Sequence, residues 1–287
     1  MIIGDNREAV IENIRTALEN QQYNIKVEIN DPVLTPKESN AIIEKYLKSR
    51  GTLGFKVKTR IARAIANIGT DILNKDTEII GIEKLKNING GAFISSNHFS
   101  PIENTAVRAM TRKLNIKRLN VVSQETNLAM KGIIGFLMNY ADIIPISANF
   151  HYTQGAFVDI LHSLFENNEY VLIYPEQEMW FNYRKPRPFK RGTYYYAAKL
   201  KVPVVSCFVE MQDKAKMENE NFRKVKFILH VLDVIYPDSE KSVKENSVEM
   251  CKTDYELKKA AYEKAYRKPL TYDFEPSDIA GWVKDNE

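Results

Sequence analysis

Short apolar runs rich in β-branched residues alternate with helical patterns through most of this chain, and that alternation is its strongest structural constraint. Extended runs fall at 77–82, 92–96, 119–123, 142–146, 170–174, 202–209 and 225–232. Helical patterns occupy about 101–114, 132–140, 154–167 and 192–201. Strands joined through helices pair as parallel neighbours, so the pattern predicts an α/β fold with a mixed, partly parallel central sheet flanked by helices. The 287 residues suffice for one such domain with extensions. We read 1–75 as an N-terminal helical extension containing a short extended piece at 23–29. Residues 76–237 form the α/β domain, and 238–287 form a charged surface appendage with a helix at about 254–266.

Apolar residues make up 44% and charged residues 27%, a globular composition that excludes an intrinsically disordered chain. Two cysteines, Cys207 and Cys251, are too few for a disulfide framework and lack the clustered Cys/His spacing of a zinc site. A reducing, cytoplasmic setting and no bound metal are expected. The opening Met1-Ile2-Ile3-Gly4-Asp5 reaches an acid before any apolar stretch forms, unlike a secretory signal. The best apolar stretch, 133–146, is interrupted by Asn139 and Asp142 and falls short of the roughly 18 to 20 residues that span a bilayer.

The net charge of +4 is unevenly spread. Between 45 and 65 stand Lys45, Lys48, Arg50, Lys56, Lys58, Arg60 and Arg63 with no acid among them. Between 183 and 226 twelve bases face four acids. Such blocks suit an anionic partner, and they equally suit solvated surface. In the first block Val57, Ile61, Ile65, Ile68 and Ile72 recur at helical spacing, with the bases off that stripe. An amphipathic helix of this kind either packs its stripe on the domain or lies in a bilayer interface.

The most informative segment is Asn97-His98-Phe99-Ser100-Pro101-Ile102-Glu103, where a buried strand ends in a histidine and a carboxylate follows five residues later. An imidazole can take a proton from a hydroxyl near neutral pH, and a carboxylate on its other nitrogen fixes tautomer and orientation. No serine or cysteine nucleophile is needed if the substrate's own hydroxyl attacks. Ser100-Pro101-Ile102-Glu103 also reads as a capping box, which would give Glu103 to the helix start alone. His98 lies at a strand end, where α/β proteins bind ligands. His151, His162 and His230 fall inside regular patterns and read as structural.

A second segment follows the strand at 170–174. It carries Glu176, Gln177 and Glu178, then the bases Arg184, Lys185, Arg187, Lys190 and Arg191, before Gly192 opens a helix. Carboxylates and bases together suit an acceptor that bears hydroxyls and an anionic handle. A basic loop serving solubility is the plain alternative.

Together these segments resemble the glycerolipid acyltransferase family, the lysophosphatidic acid acyltransferases and their relatives. Asn97 to Glu103 is similar to the family's first block, N-H-x-S-x-x-D, with Glu in place of Asp. Gly132 to Ile146 resembles the second block, Tyr174-Pro175-Glu176 the F-P-E of the third, and Pro188-Phe189-Lys190-Arg191-Gly192 the P-F-K-x-G after it. Ala197 and Val202-Pro203-Val204-Val205 fall where the family has its helix alanine and fourth block. The resemblance covers about 80 to 215 in order.

The resemblance implies transfer of a fatty acyl group from an acyl-CoA or acyl carrier protein thioester to a hydroxyl of a lysophospholipid or related lipid or polyol. His98 would be the general base, Glu103 its partner, and Glu176 a holder of the acceptor. Asn97, Gln177, Arg184, Lys185, Lys190, Arg191 and Gly192 join the implied substrate-binding set. No cofactor is implied. The implied partners are an anionic membrane surface on the cytoplasmic face, the thioester donor and the acceptor, with no nucleic acid. Two departures stand out: Ser147-Ala148 and Gln177-Glu178-Met179 occupy the places where the family carries its phosphate-binding arginines. Arg184, Lys185 and Arg187 then substitute from the loop, or the acceptor is not lysophosphatidic acid. A catalytically silent lipid- or carrier-binding relative and an acyl thioesterase are the other classes consistent with the altered blocks.

Overall fold

The computed structural model describes residues 6–29, 32–116 and 118–283. Three helices come first: α1 (Arg7–Glu19), α2 (Pro36–Arg50) and α3 (Leu53–Leu73). Then follow β1 (Glu78–Ile80), β2 (Ala92–Ser95), α4 (Asn104–Lys113), β3 (Leu119–Gln124), α5 (Gly132–Tyr140), β4 (Ile143–Ile146), α6 (Phe150–Gln154), α7 (Ala156–Glu166) and β5 (Tyr170–Ile173). The chain continues through α8 (Gly192–Leu200), β6 (Val204–Met217), β7 (Arg223–Ile235) and α9 (Val243–Tyr266). Residues 23–29, expected to be extended, contain no strand.

Seven strands form one sheet in the order β1-β7-β6-β2-β5-β3-β4. Every pair is parallel except β6 with β7, so the sheet is mixed and mostly parallel, as the alternation predicts. β2 and β5 are short and wholly buried because both faces are covered, and continuous apolar runs are what such strands require. Phe93, Val171 and Val204 enter one core layer with Phe157, Leu161 and Tyr194, while Ile94, Leu172 and Val205 enter the opposite layer with Val107 and Met110. The paired strands β6 and β7 run longer than their apolar stretches predict. Their distal ends turn polar and leave the core, yet the ladder continues to Met217 opposite Arg223.

One expectation is corrected here. The C-terminal segment is no surface appendage: α9 packs against α8, β6 and β7, and Met250, Asp254, Lys258 and Tyr262 are buried. After it, Ile279 and Trp282 join a third cluster with α1, Trp180, Tyr183 and Phe222. Of the two readings of the α3 stripe, packing on the domain is not the one the structure has. Val57, Ile61, Ile65, Ile68 and Ile72 face solvent, with Ile61 51%, Ile68 61% and Ile72 63% exposed. α3 instead turns its small residues Ala62 and Thr70 inward and packs on α4 and α5. This inverts the ordinary relation of an amphipathic helix to its core. Among the described residues no helix is long and apolar enough to cross a membrane.

Candidate active site

Parallel strands release their chains at one edge of the sheet, and here β2, β3 and β5 end around a cavity of about 350 Å³. Its walls combine polar groups (His98, Glu103, Ser123, Gln124, Gln177, Glu178 and Lys190) with an apolar side that includes Val121, Met130, Met138, Ile143, Ile146 and Ile173. A concave, mostly apolar space with a few converging polar groups is the usual form of a small-molecule site. Gly135 shapes it indirectly. A Cβ there would stand 1.9 Å from the Met130 carbonyl oxygen, so only glycine lets α5 approach the preceding turn this closely.

His98 Nδ1 lies 2.7 Å from Glu103 Oε1. Glu103 Oε2 accepts the Ser100 backbone N–H, the back-reaching half of a capping box. The two readings of this carboxylate are therefore both realised, one on each oxygen. α4 begins only at Asn104, later than expected, because 101–103 form the turn that brings Glu103 back under His98. A carboxylate at Nδ1 selects the Nδ1–H tautomer and leaves the Nε2 lone pair to accept a proton. Glu103 is 1% exposed, whereas His98 keeps access to the cavity that it lines. The Tyr174 ring stacks on the imidazole.

The loop after β5 is tied to this segment. His98 O accepts from Trp180 N at 3.1 Å, and Phe99 O accepts from Asn182 N at 2.8 Å. Glu176 is buried and spends its carboxylate on this frame. It accepts from His98 N at 3.4 Å, Arg187 N at 3.3 Å, Arg187 Nε at 3.1 Å and Arg187 Nη2 at 2.8 Å. Burial lowers the Arg187 guanidinium from its ordinary value while Glu176 opposes that shift, and the guanidinium lies 4.5 Å over the Trp180 ring. The structure thus places Glu176 in a brace behind His98 rather than on the cavity wall.

The other loop bases have similar fates. Lys185 is buried in an ion pair with Asp278 at 2.7 Å and donates to Asp273 O. Arg184 pairs with Asp213, donates to Ser277 O and lies over the Tyr266 ring. These placements correct the alternative in which Arg184, Lys185 and Arg187 substitute for the missing phosphate-binding arginines: the C-terminal segment uses Arg184 and Lys185, while Glu176 and the Tyr23 and Glu178 carbonyls use Arg187. Asn97 is also structural, bridging to β6 by donating to Val209 O and accepting from Val209 N.

Gln177, Lys190 and Gly192 line the cavity, while Arg191 is exposed at the start of α8 outside that lining. Sequence reasoning missed Tyr174, Gln124, Met138 and Tyr196, which complete the walls. For Tyr174 and Gln124 a signal existed, since both sit at or just beyond the carboxyl end of a strand that borders the site. Neither cysteine competes as a nucleophile. Burial pushes the Cys207 thiol up to about 12 and the Cys251 thiol to about 11. Among the described residues no group of three or more His, Cys, Asp or Glu side chains gathers as metal ligands.

Residues 76–210 match the protein-family model described as Acyltransferase. The chain is similar in structure to the 1-acyl-sn-glycerophosphate (LPA) acyltransferase PlsC of Thermotoga maritima, with a TM-score of 0.52. That alignment covers 92% of this chain and 98% of the other at 12% sequence identity, which speaks to a shared fold. Comparison with curated protein sequences finds no match.

Proposed function

We propose, from the match of residues 76–210 to the acyltransferase family model, that this chain is an O-acyltransferase acting on a lysophospholipid or a related lipid or polyol. The observation that carries this reading is the His98–Glu103 pair, 2.7 Å apart, on the wall of a largely apolar cavity. His98 Nε2 takes the proton of the acceptor hydroxyl as its oxygen attacks the thioester carbonyl carbon. The tetrahedral intermediate collapses with cleavage of the C–S bond, and the imidazolium returns the proton to the departing thiolate. Glu103 keeps Nδ1–H in place and offsets the charge on the ring.

The apolar side of the cavity suits the acyl chain of an acyl-CoA or acyl carrier protein donor. For the acceptor, Gln177 and Gln124 offer amides. Lys190 and the first N–H groups of α8 offer the setting for an anionic substituent. The test is mass spectrometry of acceptor mixtures, including lysophosphatidate, zwitterionic lysophospholipids and monoacylglycerol, incubated with each donor type. A new acylated product that requires His98 is expected and names the acceptor. Free fatty acid as the main product, unchanged by added acceptors, would select the thioesterase. No turnover on any member, with retained vesicle or carrier binding, would select the silent relative.

The outward stripe of α3 supports a peripheral association with the anionic cytoplasmic face of a membrane. Its aliphatic side chains are flanked by exposed Lys56, Lys58 and Arg60. Arg63 is not part of this set, because its guanidinium is held on Asp142 by two 2.6 Å hydrogen bonds. Replacing Ile61, Ile68 and Ile72 by serine is expected to lower partition onto phosphatidylglycerol vesicles by at least about tenfold, since each buried aliphatic side chain is worth ~1.5–3 kcal/mol at full burial. Reversing Lys56, Lys58 and Arg60 to glutamate should weaken sedimentation with vesicles at low salt and much less at high salt. Unchanged binding by both variants would sink the membrane proposal.

A further inference from the structure

We propose that Tyr174 is a positioning residue for His98: its phenol ring, stacked face to face on the imidazole, fixes the ring plane and favours the imidazolium formed during proton transfer. The proposal rests on the reading of His98 as the base. The two ring centroids are 4.0 Å apart and the planes differ by 9°. Ile173 pairs with Ser95 across β5 and β2, so the segments that follow leave the sheet side by side and bring Tyr174 against His98. The contact is therefore dictated by strand register.

The Nδ1 hydrogen bond to Glu103 holds one edge of the imidazole and still tolerates a limited pivot of the ring plane about the Cβ–Cγ bond. A flat aromatic face removes the pivot. It also carries the negative end of the ring quadrupole, so a cation stacked on it is favoured over the neutral ring. Other charged groups reach His98 from its edges or across the cavity. Glu103 does so from the turn before α4, and Glu176, paired with Arg187, from the loop after β5. Glu28, Glu178 and Lys190 share the cavity lining, and Arg108 lies buried on α4. Tyr174 alone among these presents an aromatic face. Its hydroxyl is buried beside Glu103, and burial followed by that carboxylate raises the phenol well above its ordinary value, so it remains neutral. The role assigned here belongs to the ring rather than to the hydroxyl.

The experiment compares Tyr174→Leu, Tyr174→Phe and His98→Ala in the full chain. Tyr174→Leu should lower kcat about three- to tenfold with KM within about twofold, the span expected when a cation–π contact is lost. The acid limb of the kcat–pH profile, which reports protonation of the base, should move down by about half to one pH unit. Tyr174→Phe keeps the face and should stay within about twofold of the parent with the acid limb in place. A histidine NMR titration provides the same comparison without turnover, with the His98 signals assigned by their loss in His98→Ala. Those signals should titrate at lower pH in Tyr174→Leu and not in Tyr174→Phe. If the leucine variant does not fold, pentafluorophenylalanine at position 174 keeps the shape, inverts the quadrupole and should move both readouts in the same direction. A folded variant lacking the tyrosine face with an unmoved acid limb and titration overturns the proposal. A phenylalanine variant as impaired as the leucine variant also overturns it. An active His98→Ala would remove the premise, whereas an inactive one beside a normal Tyr174→Leu refutes only the role of Tyr174.

Discussion

Replacing His98 by alanine is expected to lower acyl transfer by about 10²- to 10⁴-fold, the range attributed to a positioned general base. The fold should survive. His98 ties the loops together through its backbone N–H to Glu176 and its carbonyl to Trp180, and alanine retains both groups. Glu103 provides a finer test, because its two oxygens accept from two different donors. A glutamine has one acceptor and one donor end. With its oxygen on Ser100 N–H, the amide would donate to His98 Nδ1, put the proton on Nε2 and remove the lone pair that must act. Glu103→Gln should therefore cost on the order of 10²- to 10⁴-fold in kcat, as expected for a wrongly set tautomer. Glu103→Asp is shorter by one methylene and should retain part of the activity. Wild-type rates in all three variants, measured as acylated product at saturating donor, would reduce Glu103 to a helix cap and His98 to a bystander.

The pairing of His98 with Glu103 was legible in the sequence because it is local: five residues and one turn separate the two side chains. The central sheet was legible for a related reason. Strands buried on both faces write themselves as uninterrupted apolar runs, as at 92–94 and 170–173. What could not be read depended on distant partners. Lys185 and Arg184 look like anion-binding bases until Asp278 and Ser277, about ninety positions away, fold back onto them. The α3 stripe has the periodicity of a core-facing helix, and periodicity defines a face without saying what the face meets. The late start of α4 was hidden for a different reason, since a carboxylate that serves a histidine and a cap at once pulls the first turn out of helical form.

The C-terminal helix provides the second large effect. Lys258→Ala is expected to destabilise the protein by about 3–5 kcal/mol, because it leaves a buried carboxylate without its counter-charge. Four residues separate Asp254 from Lys258, the spacing of a surface helix pair worth ~0.3–0.5 kcal/mol when exposed. Here both side chains are fully buried. Asp254 accepts from Ser95 Oγ on β2, Ser206 Oγ on β6 and Tyr194 OH on α8, and Lys258 Nζ donates to both Asp254 Oδ1 and Ser95 Oγ. The helix is thereby latched to the strand that carries His98 three residues beyond Ser95. Asp254→Ala should be at least as costly, since it removes the partner of an ammonium and of three hydroxyls, those of Ser95, Ser206 and Tyr194. The double variant Asp254→Leu/Lys258→Met should cost less than the sum of the single replacements, because each single replacement isolates a charge that the double removes. Urea unfolding followed by circular dichroism measures all three. A loss below about 1 kcal/mol for Lys258→Ala would show that the buried pair does not hold this helix to the sheet. A loss in the expected range makes it part of the framework that holds the end of β2, and with it His98, in place.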